Sequence, residues 1–276
     1  MNTLLLKLLF TIQGVGAASG LIYNDGQLYV ISDNSNYLYH YSIDQQTLNQ
    51  TLLIDRSINV DVPKKKKADL EAMTVSDSTL YIIGSGSSAK RNTLLNYHLG
   101  TDKTTTINIR RVYQSLRKTY SIAKEDFNIE GALFVNDELW LFNRGNGPSQ
   151  QNGIFILSRD TFSPKAFHKV ALPSLDNVPL GFTDAIWVDG KVYFTAAAEG
   201  GGSSYHDGGI RGTVLGCLNP ETMQTEYTEI ISKTQKFEGI TVFKKTASRV
   251  EFLLCEDPDN GSNTSAIYRL SYDLPD

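Results

Sequence analysis

Apolar and polar positions alternate in short runs along this chain, and five of the runs superimpose without a gap. They are Ser19-Gly20-Leu21-Ile22-Tyr23, Glu71-Ala72-Met73-Thr74-Val75, Glu130-Gly131-Ala132-Leu133-Phe134, Thr183-Asp184-Ala185-Ile186-Trp187 and Glu238-Gly239-Ile240-Thr241-Val242. In the first four a polar turn follows, and nine positions after the first residue Leu28, Leu80, Leu139 or Val192 opens a second apolar run. The fifth, around Arg249 to Phe252, keeps the pattern with a longer turn. Runs of this length, rich in Tyr, Phe, Thr, Val and Ile and separated by Gly, Asn, Ser and Asp, predict short strands. The repeat recurs at spacings of 52, 59, 53 and 55, the period of a propeller blade. The sequence is therefore read as all-β, one five-bladed β-propeller domain over residues 1–276.

Closure of the ring can be placed as well. The 38 positions after Glu238 and the first 19 of the chain together make one more period, 57. The last blade is then completed by the N-terminus, with Leu4 to Ile12 as its outer strand beside the strand around Ile267 to Tyr272; pairing there removes two free sheet edges. Met1 to Ala17 has an apolar stretch, but Lys7 interrupts it and no cation precedes it, so it reads as a structural strand and not as a secretory signal. No run reaches the 18 or more apolar residues of a membrane-spanning helix.

Charge and cysteine content narrow the partners. A net charge of -4 gives no general affinity for nucleic acid or an anionic membrane. Cys217 and Cys255 fall in strand-like runs of different blades and read as buried free thiols, which suits a reducing, cytoplasmic setting and a monomer.

In a propeller the inner strand of each blade lines the central channel. Ser19, Glu71, Glu130, Thr183 and Glu238 stand where the inner strands begin, so they are expected to converge at one mouth. Three carboxylates in a narrow channel repel one another unless their pKa values rise or a cation joins them. Hard oxygen donors, with no His or Cys among them, suit Ca²⁺ better than Zn²⁺ or Cu²⁺, and the five residues are the candidate metal ligands. The competing reading is that each glutamate braces neighbouring blades through backbone N–H groups around water.

The order Ser, Glu, Glu, hydroxyl, Glu across five blades resembles the calcium-activated nucleotidases, the soluble five-bladed apyrases, and the run Leu28 to Asp33 is similar to that family's strand ending in an acidic residue. The resemblance implies a central Ca²⁺ on Ser19, Glu71, Glu130, Thr183 and Glu238, with Thr183 where the family has Ser. The chain as a whole looks like an uncharacterised group of bacterial propellers, and its repeated Glu-Gly-aliphatic element is also similar to phytase-like esterase propellers.

Basic residues flank the same face: Lys64 to Lys67, Arg91, Arg144 and Arg211. Arg144 could hold an anionic substrate through bidentate contacts, whereas the lysine run reads as solvated. The loop Glu199 to Gly209 carries His206 as a candidate base but reads more simply as a surface loop. His40, His98 and His168 read as strand residues. Asp184 either adds a carboxylate to the channel or binds the backbone. No Gly-x-Ser-x-Gly, His-Glu-x-x-His, P-loop or dinucleotide motif occurs. Two functions stay open: a Ca²⁺-dependent hydrolase of small phosphorylated or ester substrates, with Glu71, Glu130 and Arg144 catalytic, or a non-catalytic propeller binding a ligand or protein around a structural cation or water cluster. Titratable residues outnumber aromatics at the inferred mouth, which favours the enzyme.

Overall fold

The alternation that marks strands in the sequence becomes, in a computed structural model describing residues 4–200 and 209–274, five antiparallel sheets. The first blade consists of β2 (Ala18–Asn24), β3 (Gln27–Ser32), β4 (Tyr37–Ser42) and β5 (Thr47–Leu52), in that order from the centre outward. The second contains β6 (Leu70–Ser76), β7 (Thr79–Gly84), β8 (Thr93–His98) and β9 (Lys103–Asn108). The third contains β10 (Ile129–Val135), β11 (Glu138–Asn143), β12 (Gly153–Ser158) and β13 (Pro164–Lys169). The fourth has the short β14 (Ser174–Leu175) inside β15 (Val178–Val188), then β16 (Lys191–Glu199), β17 (Ile210–Asn219) and β18 (Gln224–Ser232). The fifth runs from β19 (Phe237–Lys245) through β20 (Arg249–Glu256) and β21 (Thr264–Asp273) to β1 (Leu4–Gln13). Each of β2, β6, β10, β15 and β19 contacts the next, and β19 returns to β2, so the ring is a five-bladed β-propeller closed by the N-terminal strand. β1 pairs antiparallel with β21, Leu4 opposite Tyr272 and Gln13 opposite Thr264.

Turn chemistry fixes the hairpins next to the channel. Asp25-Gly26 and Asp189-Gly190 both take positive φ, 47° and 79° in each case, as a two-residue turn matched to strand twist requires. Packing between blades supplies the core. The Phe142, Phe182 and Phe194 rings meet edge to face at 5.2 and 5.0 Å, a favoured aromatic geometry. Cys217 and Cys255 are buried and unpaired.

The one α-helix among the described residues has no counterpart in the strand pattern. The longest spacing, from Glu71 to Glu130, contains helix α1 (Arg110–Thr119). Its Tyr113 and Leu116 are buried, and the Tyr113 hydroxyl donates to the Gly84 carbonyl at 2.7 Å.

Candidate functional site

All five inner strands carry a β-bulge at the same place, and the extra residue is in each case the first of its repeat. Pairing passes from Ala18 to Gly20, Leu70 to Ala72, Ile129 to Gly131, Phe182 to Asp184 and Phe237 to Gly239. Ser19, Glu71, Glu130, Thr183 and Glu238 are thus left out of the ladder. A bulge re-aims the side chain it frees, and here the re-aimed groups are the repeat's polar positions.

Their outcomes divide by chemistry. The Ser19 hydroxyl donates to the Leu70 carbonyl at 2.5 Å, and the Thr183 hydroxyl to the Phe237 carbonyl at 2.7 Å. Leu70 and Phe237 directly precede the next blade's Glu71 and Glu238, so both hydroxyls tie one inner strand to the next. Glu71, Glu130 and Glu238 all line one cavity of about 490 Å³, which Ser19 also borders; Thr183 is not in its wall. Asp184 stays out of the cavity: its carboxylate accepts the Ala185 and Ile240 N–H groups at 2.8 and 2.9 Å, another link between blades.

The wall also contains residues that the repeat did not single out. Two positions before each glutamate stand Asp69, Asn128 and Lys236, with Gly181 at the matching place before Thr183. Asp33, Arg144 and Asp257 directly follow the second strands of their blades, and their N–H groups donate to the carbonyls of Ala17, Asn128 and Lys236. These positions differ in chemistry from blade to blade, so no repeated residue marks them in the sequence.

Arg144, 7% exposed, is held among carboxylates. Its Nη2 donates to Glu199 Oε2 at 2.8 Å, and its Nη1 lies 3.6 Å from Glu130 and 3.8 Å from Glu238. Gly181 makes room for it, since a Cβ there would lie 2.7 Å from Arg144 Cγ. Lys236 reaches Glu238 at 2.9 Å and Asp259 at 2.8 Å. Lys67 leaves the lysine run to pair with Asp33 and, at 2.8 Å, with Asp69, while Arg91 binds Asp69 at 2.6 Å. Lys65 and Lys66 are exposed, as a solvated run would be. Arg211 is exposed too, and His206 lies outside the described residues. His40 packs between the Tyr29 and Tyr97 rings at 5.1 and 5.6 Å, away from the cavity.

Glu71 differs from the other acids. Among the described residues it makes no hydrogen bond or ion pair. Burial, with Asp69, Glu130 and Asp33 nearby, holds its carboxyl well above the usual range despite Lys67. Burial also pushes Glu130 up to about 8, against the opposing pull of Arg144, and Asp257 up to about 8, against Lys236. Burial alone would discharge Lys236, but Glu238 and its other acidic neighbours outweigh it and hold the amine charged.

For a hard cation, the five-residue ring offers fewer free donors than its residue types suggest. Two hydroxyl protons are committed to carbonyls, and Glu130 and Glu238 already face Arg144 and Lys236, whose charges oppose a cation there. The buried Glu238 Oε2 has no hydrogen-bond partner. Carboxylate oxygens of Asp33, Asp69 and Glu71 all lie within 4.8 Å of one another; the all-oxygen donor type fits Ca²⁺ chemistry, but Lys67 and Arg91 already pair with Asp33 and Asp69, so a cation there has to displace Lys67.

A pH dependence follows. Carboxyls whose pKa is raised on folding bind protons that the unfolded chain releases, so their stabilising contribution is complete below the unfolded value, 4.5 for Glu130, and is lost as pH rises through about 8. The denaturant midpoint is expected to fall between about pH 5 and pH 8.5, and to fall less in Glu130→Gln. A midpoint level or rising across that window contradicts the assignment.

Residues 14–272 match the model of DUF6929, described as a family of unknown function. No curated protein sequence matches the chain. Among solved structures, glutaminyl cyclase of Myxococcus xanthus superimposes with a TM-score of 0.59 at 11% identity, over 98% of this chain and 97% of that one. An exo-1,5-α-L-arabinanase from a bovine ruminal metagenomic library gives 0.54 at 12% identity over 93% and 92%. A luciferin-regenerating enzyme gives 0.52 at 9% identity over 97% and 95%. At these identities the likeness shows the fold alone. None of the three is a nucleotidase or a phytase-like esterase, so that resemblance rests on the sequence positions alone.

Proposed function

The chain belongs to DUF6929, a family of unknown function whose model spans nearly all of it, and from that premise we propose that the channel-mouth cavity is the active site of a hydrolase for small phosphorylated or ester substrates. The observation that carries this reading is Glu71: a carboxyl in the cavity wall, unpaired among the described residues, with its proton held by burial and neighbouring acids. Structural carboxylates are paired, as Asp69 and Asp184 are here; one left free beside a second protonated acid is suited to proton transfer.

Hydrolysis adds water across a P–O or C–O bond, so the leaving oxygen must gain a proton and the attacking water must lose one. Glu71, whose proton affinity Glu130 raises, gives its proton to the leaving oxygen, and Glu130, ionised as pH rises through about 8, takes one from water. Arg144 is locked by Glu199 and keeps Glu130 in place, and its fixed charge offsets the negative charge that builds during attack. A hard divalent cation, held by Asp33 and Asp69 in place of Lys67, would polarise the scissile phosphoryl or carbonyl group.

A panel of nucleoside di- and triphosphates, phytate and chromogenic esters, run with Ca²⁺, Mg²⁺ or chelator, tests the reading. Turnover is expected with metal and lost with chelator. Ca²⁺ alone should raise the melting temperature, by about 2.7 kcal/mol of stability at a hundredfold excess over Kd, and less in Asp33→Asn. If no substrate is turned over under any metal, the cavity is a binding site and the non-catalytic alternative takes its place.

A further inference from the structure

A second cavity of about 290 Å³ opens beside the first. Asp33, Lys64, Lys67, Asp257 and Asp259 stand in the walls of both, so the two are compartments of one space with the Asp33–Lys67 ion pair at their boundary. The second compartment lies at the seam where the ring closes. There the Gly14 N–H donates to the Asn263 carbonyl at 2.9 Å, and the chain at Gly16 runs so close to Ser262 that a Cβ would lie 2.8 Å from its carbonyl oxygen. The slot is therefore fixed by closure of the propeller.

Its lining is mixed in a particular way. Val62, Lys64 and Lys67 come from one segment, and Asp257, Pro258, Asp259, Asn260 and Ser262 from another. Ammonium groups of Lys64 and Lys67, carboxylates of Asp33, Asp257 and Asp259 and the amides of Asn34 and Asn260 therefore border one slot, with Lys67 paired to Asp33 and Asp69 and Asp259 to Lys236. A simple anion or cation meets like charge somewhere in such a lining. Vicinal hydroxyls both donate and accept, so they satisfy both kinds of group, and the C–H face of a ring can pack on Pro258 and Val62.

We propose that the seam compartment is a subsite for a sugar ring, which would sit there while the scissile group of the same molecule lies in the central cavity. The substrate class becomes a sugar phosphate or a sugar ester. This rests on the hydrolase reading only for the second half; recognition of the ring is independent of turnover.

The test is accordingly made on binding. Saturation-transfer NMR with methyl glucoside, which has no phosphoryl or ester group, is expected to show transfer to its ring protons from the full chain. Transfer should be lost in Ser262→Trp, which fills the slot, and weakened in the exposed Asn260→Leu, each checked for a native melting curve. In the presence of Ca²⁺, glucose 6-phosphate should bind at least tenfold tighter than methyl phosphate. Absence of transfer, transfer unchanged in both variants, or equal affinities for the two phosphates overturns the subsite. Ring recognition without turnover of any substrate leaves the subsite standing and removes the hydrolase reading; turnover without ring recognition does the reverse.

Discussion

Replacing Glu71 by glutamine is expected to lower kcat/KM by at least about 100-fold, the usual size of a lost general acid or base, while leaving the fold intact. The two halves of this expectation have the same cause. Glu71 makes no hydrogen bond or ion pair among the described residues and suffers repulsion from Asp69, Glu130 and Asp33, so a neutral isostere costs no contact and relieves like charge. The melting temperature should therefore stay level or rise, as activity disappears and the pH–rate profile loses the limb that Glu71 governs. Activity close to wild type would falsify the assignment of Glu71. A large drop in melting temperature would mean that its role is structural. Arg144→Met is the contrasting variant: it leaves Glu130, Glu199 and Glu238 without a partner they now have, and breaking a buried ion pair from one side typically costs about 3–5 kcal/mol.

Removal of residues 1–13 is expected to abolish cooperative folding. The deletion takes away β1, exposes the β21 edge along its whole register, and strips cover from the blade-5 and blade-1 cores, to which the fully buried Ile12 belongs. Each large aliphatic side chain fully buried is worth about 1.5–3 kcal/mol, against a typical total of about 5–15 kcal/mol. An unpaired strand of ten residues also invites edge-to-edge association. Circular dichroism melts and size-exclusion profiles decide the matter: a truncated chain that is monomeric and melts like the full one would show that the blade does not depend on β1.

The blade count, the order of strands and the closing strand were all legible in the sequence, because alternation and period record which face of each strand is buried. Glu71, Glu130 and Glu238 were legible as sharing one register position, since the same bulge recurs in every inner strand. Helix α1 was not: its apolar residues are few, and they are buried only because Gly84, Phe127 and the neighbouring sheet happen to lie beside them. The electrostatics of the cavity were hidden for a related reason. Lys236, Glu199, Asp257 and Asp259 look like ordinary polar residues near strand ends, and Lys67 looks like one member of a solvated run.

The ring, its closure and the carboxylates at the start of the inner strands follow from a local periodicity repeated five times. What those positions do depends on contacts between blades. Ser19 and Thr183 became braces because the next blade presents a carbonyl to each, and Arg144 and Lys236 became counter-ions because separate blades deliver them to the same few ångströms. Glu71 was left without a partner in the same space. Which charges meet across a channel depends on where strands from distant parts of the chain end, and no local pattern encodes that distance.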